Sequence, residues 1–401
     1  MDFEREYDVI VAGAGVAGIA AALECARAGL TTALVEKSIF TGGLATSGLI
    51  YIYLPLCDGN GHQVTTGIAE ELLHLSIRYG PGDVPPGWED ARNADEPQRY
   101  RTPFSPAAFV LALDEALTDA GVEVWFDTLV CDAVMKGGRV AGVEVENKSG
   151  RGVLRAGCVI DATGDADVAA RAGAACATAD NRLAMWALVA SLDKARQAVE
   201  RETGEPLLDM LILGSDADGS GVAPESGTFD GTDAKDVTRF VLESRRLLRD
   251  YYRERHAAGG ASGRHNEFPL TLPTLAQFRT TRRIVGRATL TASGHGRRAD
   301  DSVGMVADWR KPGYVWEVPY GTLVPRDVKG LLAAGRCISS EGDAWEVTRV
   351  IPAAALTGQA AGAAATLAVE KKTTPDRLDP ADLERRLRHR GILLHIDEIG
   401  E

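Results

Sequence analysis

The sequence predicts an α/β protein: a doubly wound, mainly parallel sheet interrupted by an inserted α+β unit. Three observations predict it. An apolar strand, a glycine turn, an Ala-rich helix and a second apolar strand follow one another over residues 7–37. A run of alternating segments comes later: VEVWF, TLVCDAVM, RVAGVEVE and GVLRAGCVIDATG. From Val318 short strands return and lead into a long helix of small residues, so the first sheet resumes after an insertion. The expected division is one discontinuous domain, 1–182 with 318–401, and an inserted cap of 183–317.

The elements follow in order. YDVIVA, from Tyr7, reads as a buried strand, and Gly29 as the residue that ends the first helix. TTALVEK is the next strand, followed by a glycine-rich loop from Thr41 to Ile50. Residues 66–78 read as helix and 80–103, rich in Pro, Gly, Asp and Arg, as an irregular surface loop. Ser105 and Pro106 form an N-cap and first-turn proline for a helix to about Asp119. The four alternating segments are short strands turning at 136–138 and 148–150. Residues 214–234 read as a polar loop, and about Asp233 to His256 as one amphipathic helix. PYGTLVP and GLLAAG are read as strands, Pro352 as the start of the small-residue helix, and the tail from Asp379 as a charged peripheral helix.

Composition narrows the function. The chain has 401 residues and 44 Lys plus Arg against 57 Asp plus Glu, a net charge of −13. That balance argues against nucleic acid and against an anionic membrane surface. The six cysteines show neither a disulfide framework nor metal-ligand spacing, so no metal site is expected. The acidic start MDFEREYD lacks the features of a signal peptide, and the stretch 352–369 is too interrupted by polar residues to span a bilayer. A cytoplasmic protein follows as the expectation.

Gly13, Gly15 and Gly18 form GxGxxG between the first strand and the first helix. The first glycine permits the turn, the second lets backbone approach a pyrophosphate, and the third lets helix pack on strand. Glu36 ends the second strand 18 residues after Gly18, where its carboxylate can accept ribose hydroxyls. This is a Rossmann-like dinucleotide site. Three later strings favour a resident flavin over a soluble nicotinamide: Gly42-Gly43, the Asp161–Asp165 string DATGD, and Gly335-Arg336-Cys337-Ile338 before the long helix.

With these strings the chain resembles bacterial FAD-dependent oxidoreductases of the glutathione-reductase-type flavoprotein fold, a family related to the flavin subunit of heterodisulfide reductase. The strings are GAGVAG, TGGLATSGLI, VIDATGDADVAARAGA, RTTRRIVG, VPYGTLVPRDVKGLLAAGRCIS and TRVIPAAALTGQAAG. The resemblance implies FAD. Gly13, Gly15, Val16, Ala17, Gly18, Glu36 and Lys37 would hold its ADP half. Gly42, Gly43, Leu44, Ala45 and Thr46 would follow the pyrophosphate toward the isoalloxazine. Val130 would meet adenine through its backbone, and Ala162, Thr163 and Gly164 would cover the adenosine end. Gly335 and Arg336 would reach the ribityl chain. Ile351, Ala353 and Ala354 would bring a helix N-terminus to the pyrimidine edge, favouring the charge of the reduced ring.

The resemblance leaves the substrate open. Arg282, Arg283 and Arg349 either clamp a substrate carboxylate and stabilise reduced flavin or form structural ion pairs. Related chains carry an RETRR-type string where this one has Thr280, and His-Glu where it has Gly342-Asp343. Asp343 and His62 are the acid–base candidates and Tyr320 a pocket candidate. Trp316-Glu317-Val318-Pro319 is similar to the aromatic-x-Pro strings of geranylgeranyl reductases and flavin halogenases, but a halogenase's doubled tryptophan motif and placed lysine are missing. The expected reaction is two-electron transfer between a small organic molecule and flavin N5, with dehydrogenation the first choice. The alternatives are an NAD(P)H-dependent reductase or monooxygenase, and an electron-transfer subunit. No second GxGxxG and no iron–sulfur cysteine run accompanies them. The electron acceptor, and whether the chain is a monomer or a homo-oligomer, are left open.

Overall fold

The computed structural model describes residues 2–84, 101–215 and 227–399. The two loops read at 80–103 and 214–234 therefore lie partly outside the described residues.

The central sheet grows from strand Phe3–Ala12. It pairs in parallel with Thr32–Val35 on one side, which pairs with Glu123–Trp125. On its other side runs the long strand Gly150–Asp161, again parallel. That strand serves two neighbours. Its first half pairs antiparallel with Arg139–Asn147, and its last three residues pair in parallel with Leu331–Ala333. Leu129–Lys136 completes the meander beyond Arg139–Asn147. Residues far apart in sequence thus join one sheet, which Leu331–Ala333 completes.

Both faces of the sheet are buried, which is why its parallel strands read as continuous apolar runs. Val9 and Val11 face a core shared with helices Val16–Arg27 and Ile351–Glu370; Ile10 and Ala12 face a second core with Val140, Val143 and Leu154. The two helices touch closely because their contact residues are small. A Cβ on Gly358 would stand 2.1 Å from the Ala17 carbonyl oxygen.

The middle of the chain builds a separate three-stranded sheet, Ala184–Ser191 flanked by Asp209–Gly214 and Glu267–Thr271. Helix Ala234–Ala258 lies on it, burying Leu248 and Tyr252 against Met185, Ala187 and Val189. The hairpin Ser302–Ala307 with Val315–Pro319 behaves differently: Val303, Val306 and Trp316 join the core of helix Ile351–Glu370.

The helices read from sequence match those observed: Ile68–Ile77, Pro106–Asp119 capped by Ser105, Ala234–Ala258 capped by Asp233, and Pro380–His389 capped by Asp379. Two readings differ. PYGTLVP is not a strand throughout; Tyr320–Thr322 is a tight 3-10 turn closed by the Leu323 N–H on the Tyr320 carbonyl. Proline's missing N–H and a following glycine favour that turn. The tail is not peripheral: Leu383, Leu387, Ile392 and Leu394 enter the core, and buried Glu24 accepts from Arg390 at 2.9 Å. Charge on the outer face of an amphipathic helix hid its apolar stripe. Among the described residues no helix is long and apolar enough to cross a membrane.

Candidate functional site

The site begins where strand Phe3–Ala12 ends. Gly13 turns with φ 98°, and a Cβ there would stand 2.6 Å from the Ala162 carbonyl oxygen. A Cβ on Gly18 would stand 1.8 Å from the Gly13 carbonyl oxygen. At Gly15 nothing lies within 4 Å of the Cβ position, and its φ of −68° suits any residue. Two of the three glycines therefore serve packing, and the middle one faces open space. The second glycine loop docks on the first: the Gly42 N–H donates to the Ala14 carbonyl at 2.8 Å. Thr46 stands under Gly42 and donates its hydroxyl to the Thr41 carbonyl.

A cavity of about 610 Å³ opens beside these turns. Gly13, Gly15, Val16, Ala17, Glu36, Lys37, Gly42, Gly43, Leu44, Ala45, Ala162, Thr163, Gly164, Gly335, Arg336, Ile351 and Ala354 line it. The Glu36 carboxylate is held by the N–H groups of Ala14 at 2.9 Å and Ser38 at 2.8 Å, one on each oxygen. Helices Val16–Arg27 and Ile351–Glu370 both start at the cavity, and neither has a side-chain cap or an acid in its first turn. Their N-terminal N–H groups and dipoles make the wall favourable to negative charge at two places.

Gly18, Thr46, Val130 and Ala353 stand outside the lining. Gly18 and Thr46 buttress the turns, Ala353 is buried in its helix, and Val130 lies in the meander opposite Val145.

The candidates for chemistry divide. Arg282 and Arg349 line the cavity. Arg282 is anchored to the Asp165 carbonyl at 2.9 Å and the Asp167 carboxylate at 2.7 Å, and Arg349 to Glu346 at 3.0 Å. Adjacent Arg283 points elsewhere, paired with Glu341 at 2.9 Å behind the strand. Arg336 reaches the lining but donates to the carbonyls of Gly164 and Phe278 and to Asp165, tying the insert to the sheet. Tyr320 is buried away from the cavity with its hydroxyl on the Pro375 carbonyl at 3.0 Å, and burial pushes that hydroxyl far above the usual phenol range. His62 pairs with Asp58 at 3.2 Å in its own loop. Asp343 bridges Lys311 and Arg310 at 2.7 and 2.6 Å, and the Lys311 and Arg310 bonds hold it below the usual carboxylate range. None of these last three lines the cavity.

Part of the cavity lining carries no sequence motif. Val237 and Val241 from one face of helix Ala234–Ala258, with Thr274, Leu275, Ala276 and Phe278, close the cavity. The i, i+4 spacing of the two valines was visible, but on a surface helix it signals only burial. The segment 274–278 carries no motif. Asp165, in the DATGD string, is a hub that accepts from Thr281 at 2.7 Å and from Arg336.

A family model described as FAD dependent oxidoreductase matches residues 8–205 and 194–387. The chain belongs to the FAD-dependent oxidoreductase family. This oxidoreductase is an enzyme, and FAD is its cofactor. It is 32% identical over 166 residues to digeranylgeranylglycerophospholipid reductase of Picrophilus torridus, a match spanning 40% of each chain. It is 26% identical over 162 residues to protein FixC of Azorhizobium caulinodans, spanning 37% of this chain and 35% of that one. The matches thus reach well under half the length of either relative. Among solved structures, a geranylgeranyl bacteriochlorophyll reductase-like protein of Thermoplasma acidophilum is 15% identical with a TM-score of 0.47, covering 97% of this chain and 84% of that one.

The residues present in the oxidoreductase fit that cofactor. The open Cβ position at Gly15 leaves room for a pyrophosphate against backbone, beside a helix start with no carboxylate to repel it. Glu36 lines the same cavity, positioned by two backbone donors to receive a ribose.

Proposed function

We propose that this oxidoreductase exchanges two electrons between FAD and a predominantly apolar organic substrate, dehydrogenation being the first reading. One observation carries it: the glycine turns, Arg282 and Arg349, and the apolar side chains of Val237, Val241, Leu275 and Phe278 line the same cavity. When bound, FAD supplies the electron-accepting ring. Gly15, Glu36 and the Gly42–Gly43 turn are proposed to hold its nucleotide end. Val237, Val241 and Leu275 exclude water and orient the substrate. Arg282 and Arg349 would offer fixed positive charge to the charge that FAD gains on reduction, and their carboxylate anchors would spare them reorganisation. Asp343 and His62 are not needed for this reading, so a proton leaving the substrate goes to solvent or to a substrate group.

The reductase name of the Picrophilus relative supports chemistry on an organic substrate. The FixC name supports an electron-transfer role, and the heterodisulfide reductase kinship expected from the strings points the same way, but no feature of the site favours either over the organic-substrate reading.

The test is an anaerobic spectrum of the FAD-loaded protein titrated with NADH, NADPH and a panel of apolar alcohols, acids and amines. Bleaching by a panel compound alone is the expected result. Bleaching by NADPH alone overturns dehydrogenation in favour of a reductase or monooxygenase.

A further inference from the structure

We propose that Arg245 and Arg249 hold the anionic head of an elongated amphiphile whose apolar chain runs along helix Ala234–Ala258 into the main cavity. The proposal rests on the reading of that cavity as the substrate site, and it adds an entrance and an anchor.

Three cavities follow one another along this helix. The main one reaches Val237 and Val241. A second, of about 90 Å³, shares Val241 and Thr274–Ala276 with it and reaches Arg245. A third, a groove of about 410 Å³, begins at Arg245 and includes Arg249 and Tyr252. Positions 237, 241, 245 and 249 are spaced by four and form one stripe, apolar at the inner end and cationic at the outer. From Val237 to Arg249 the stripe is about 18 Å long.

The helix contains its own control. Arg239, Arg246, Arg253 and Arg255 each have a carboxylate partner: Asp236, Asp250, Asp250 and Glu267. Arg245 and Arg249 have none among the described residues, in a chain with 57 acids to choose from. Two unpaired like charges four apart on a helix repel, and one anion between them relieves this and takes a bidentate bond from guanidinium. A second, independent sign lies beside them. Tyr252 lines the groove, and its buried hydroxyl has no hydrogen-bond partner among the described residues. A buried donor without a partner is costly, and a ligand oxygen would satisfy it.

The experiment titrates the FAD-loaded protein with hexadecyl phosphate, butyl phosphate and hexadecanol, reading affinity by calorimetry and the flavin absorption band by difference spectroscopy. Hexadecyl phosphate is expected to bind and shift the band. Butyl phosphate, too short to reach from the arginines to the cavity, should leave the band unmoved. The double variant R245Q/R249Q should weaken hexadecyl phosphate at least tenfold, while FAD content and unfolding midpoint stay as in wild type. Val241→Trp should abolish the band shift while leaving the charge contribution intact. Unchanged affinity in R245Q/R249Q, or equal binding of hexadecanol, overturns the anchor. If hexadecyl phosphate fails to bind while a panel compound still bleaches the flavin, the entrance falls and the cavity reading stands. The same phosphate, presented as monomer or in phosphatidylcholine vesicles, distinguishes a free amphiphile from one drawn out of a bilayer, both supporting the proposal when R245Q/R249Q loses the binding.

Discussion

At the scale of the residue, the glycines of one motif do different work, and the difference is measurable. Gly13→Ala places a side chain at φ 98° against the Ala162 carbonyl, and its cost should be about 1–3 kcal/mol in urea unfolding of the apoprotein. Gly15→Ala meets no atom, so the apoprotein should unfold at the wild-type urea concentration. Its methyl group would enter the space proposed for the pyrophosphate, and FAD affinity should fall roughly tenfold, about 1.4 kcal/mol. A destabilised Gly15→Ala apoprotein would contradict this assignment. Asp161 gives a pH prediction. Burial pushes its carboxyl up to about 6, although Thr163 and the Ala169 N–H donate to it. The folded state therefore binds the proton more tightly than the unfolded chain. The contribution of this group is full below pH ~4 and is lost as pH rises toward 6, by an amount on the order of 1–3 kcal/mol. The difference in unfolding free energy between wild type and Asp161→Asn, followed from pH 4 to 7, should show that slope; a flat difference would refute it.

At the scale of the element, helix Ile351–Glu370 does two jobs with one composition. Its first turn lines the cavity without a cap or an acid, and its middle lets Gly358 and Gly362 pack on the carbonyls of Ala17 and Ala21. The Thr357 hydroxyl meets the Gly335 N–H at 3.0 Å, fixing the helix to the last glycine turn of the site. Gly358→Ala must push the two helices apart, at a cost of about 1–3 kcal/mol. Because both helices begin at the same cavity, FAD retention should fall with stability in this variant, unlike in Gly15→Ala. A Gly358→Ala protein with wild-type stability would show that the helices have slack. Helix Ala234–Ala258 shows the limit of reading an element alone: its periodicity announced a buried stripe, yet part of that stripe, Val237 and Val241, faces the cavity.

At the scale of the whole molecule, the tail after Leu378 is sewn into the main core. The tail contributes Leu387 and Leu394, and Glu317 accepts from the buried His395 at 2.9 Å. Deleting residues after Leu378 should cost several kcal/mol, since each buried leucine is worth about 1.5–3, and should lower the thermal midpoint; an unchanged midpoint would mean the tail only covers the surface. The thiols report the same compactness. Burial pushes Cys57 and Cys158 up to about 12, and Cys25 and Cys337 further. Iodoacetamide at pH 8 should label the half-exposed Cys131 and Cys176 in the native protein and spare the other four until denaturant is added, as peptide mapping would show.

Local signals determined much of this protein from sequence alone. Apolar periodicity placed the strands and helices, Ser105, Asp233 and Asp379 marked helix starts, and GAGVAG with Glu36 marked residues that line the cavity, because these depend on backbone geometry within a few residues. The C-terminal strand of the sheet was also legible, since its apolar run had to be buried. Direction was not. Tertiary structure decided that Arg282 lines the cavity while neighbouring Arg283 turns to Glu341, that Asp343 spends its charge on Lys311 and Arg310, and that Arg336 ties the insert to the sheet. It also decided which arginines of one helix go unpaired. A side chain's role in a site depends on partners tens to more than a hundred residues away, and no local pattern encodes which of two adjacent charges will meet them.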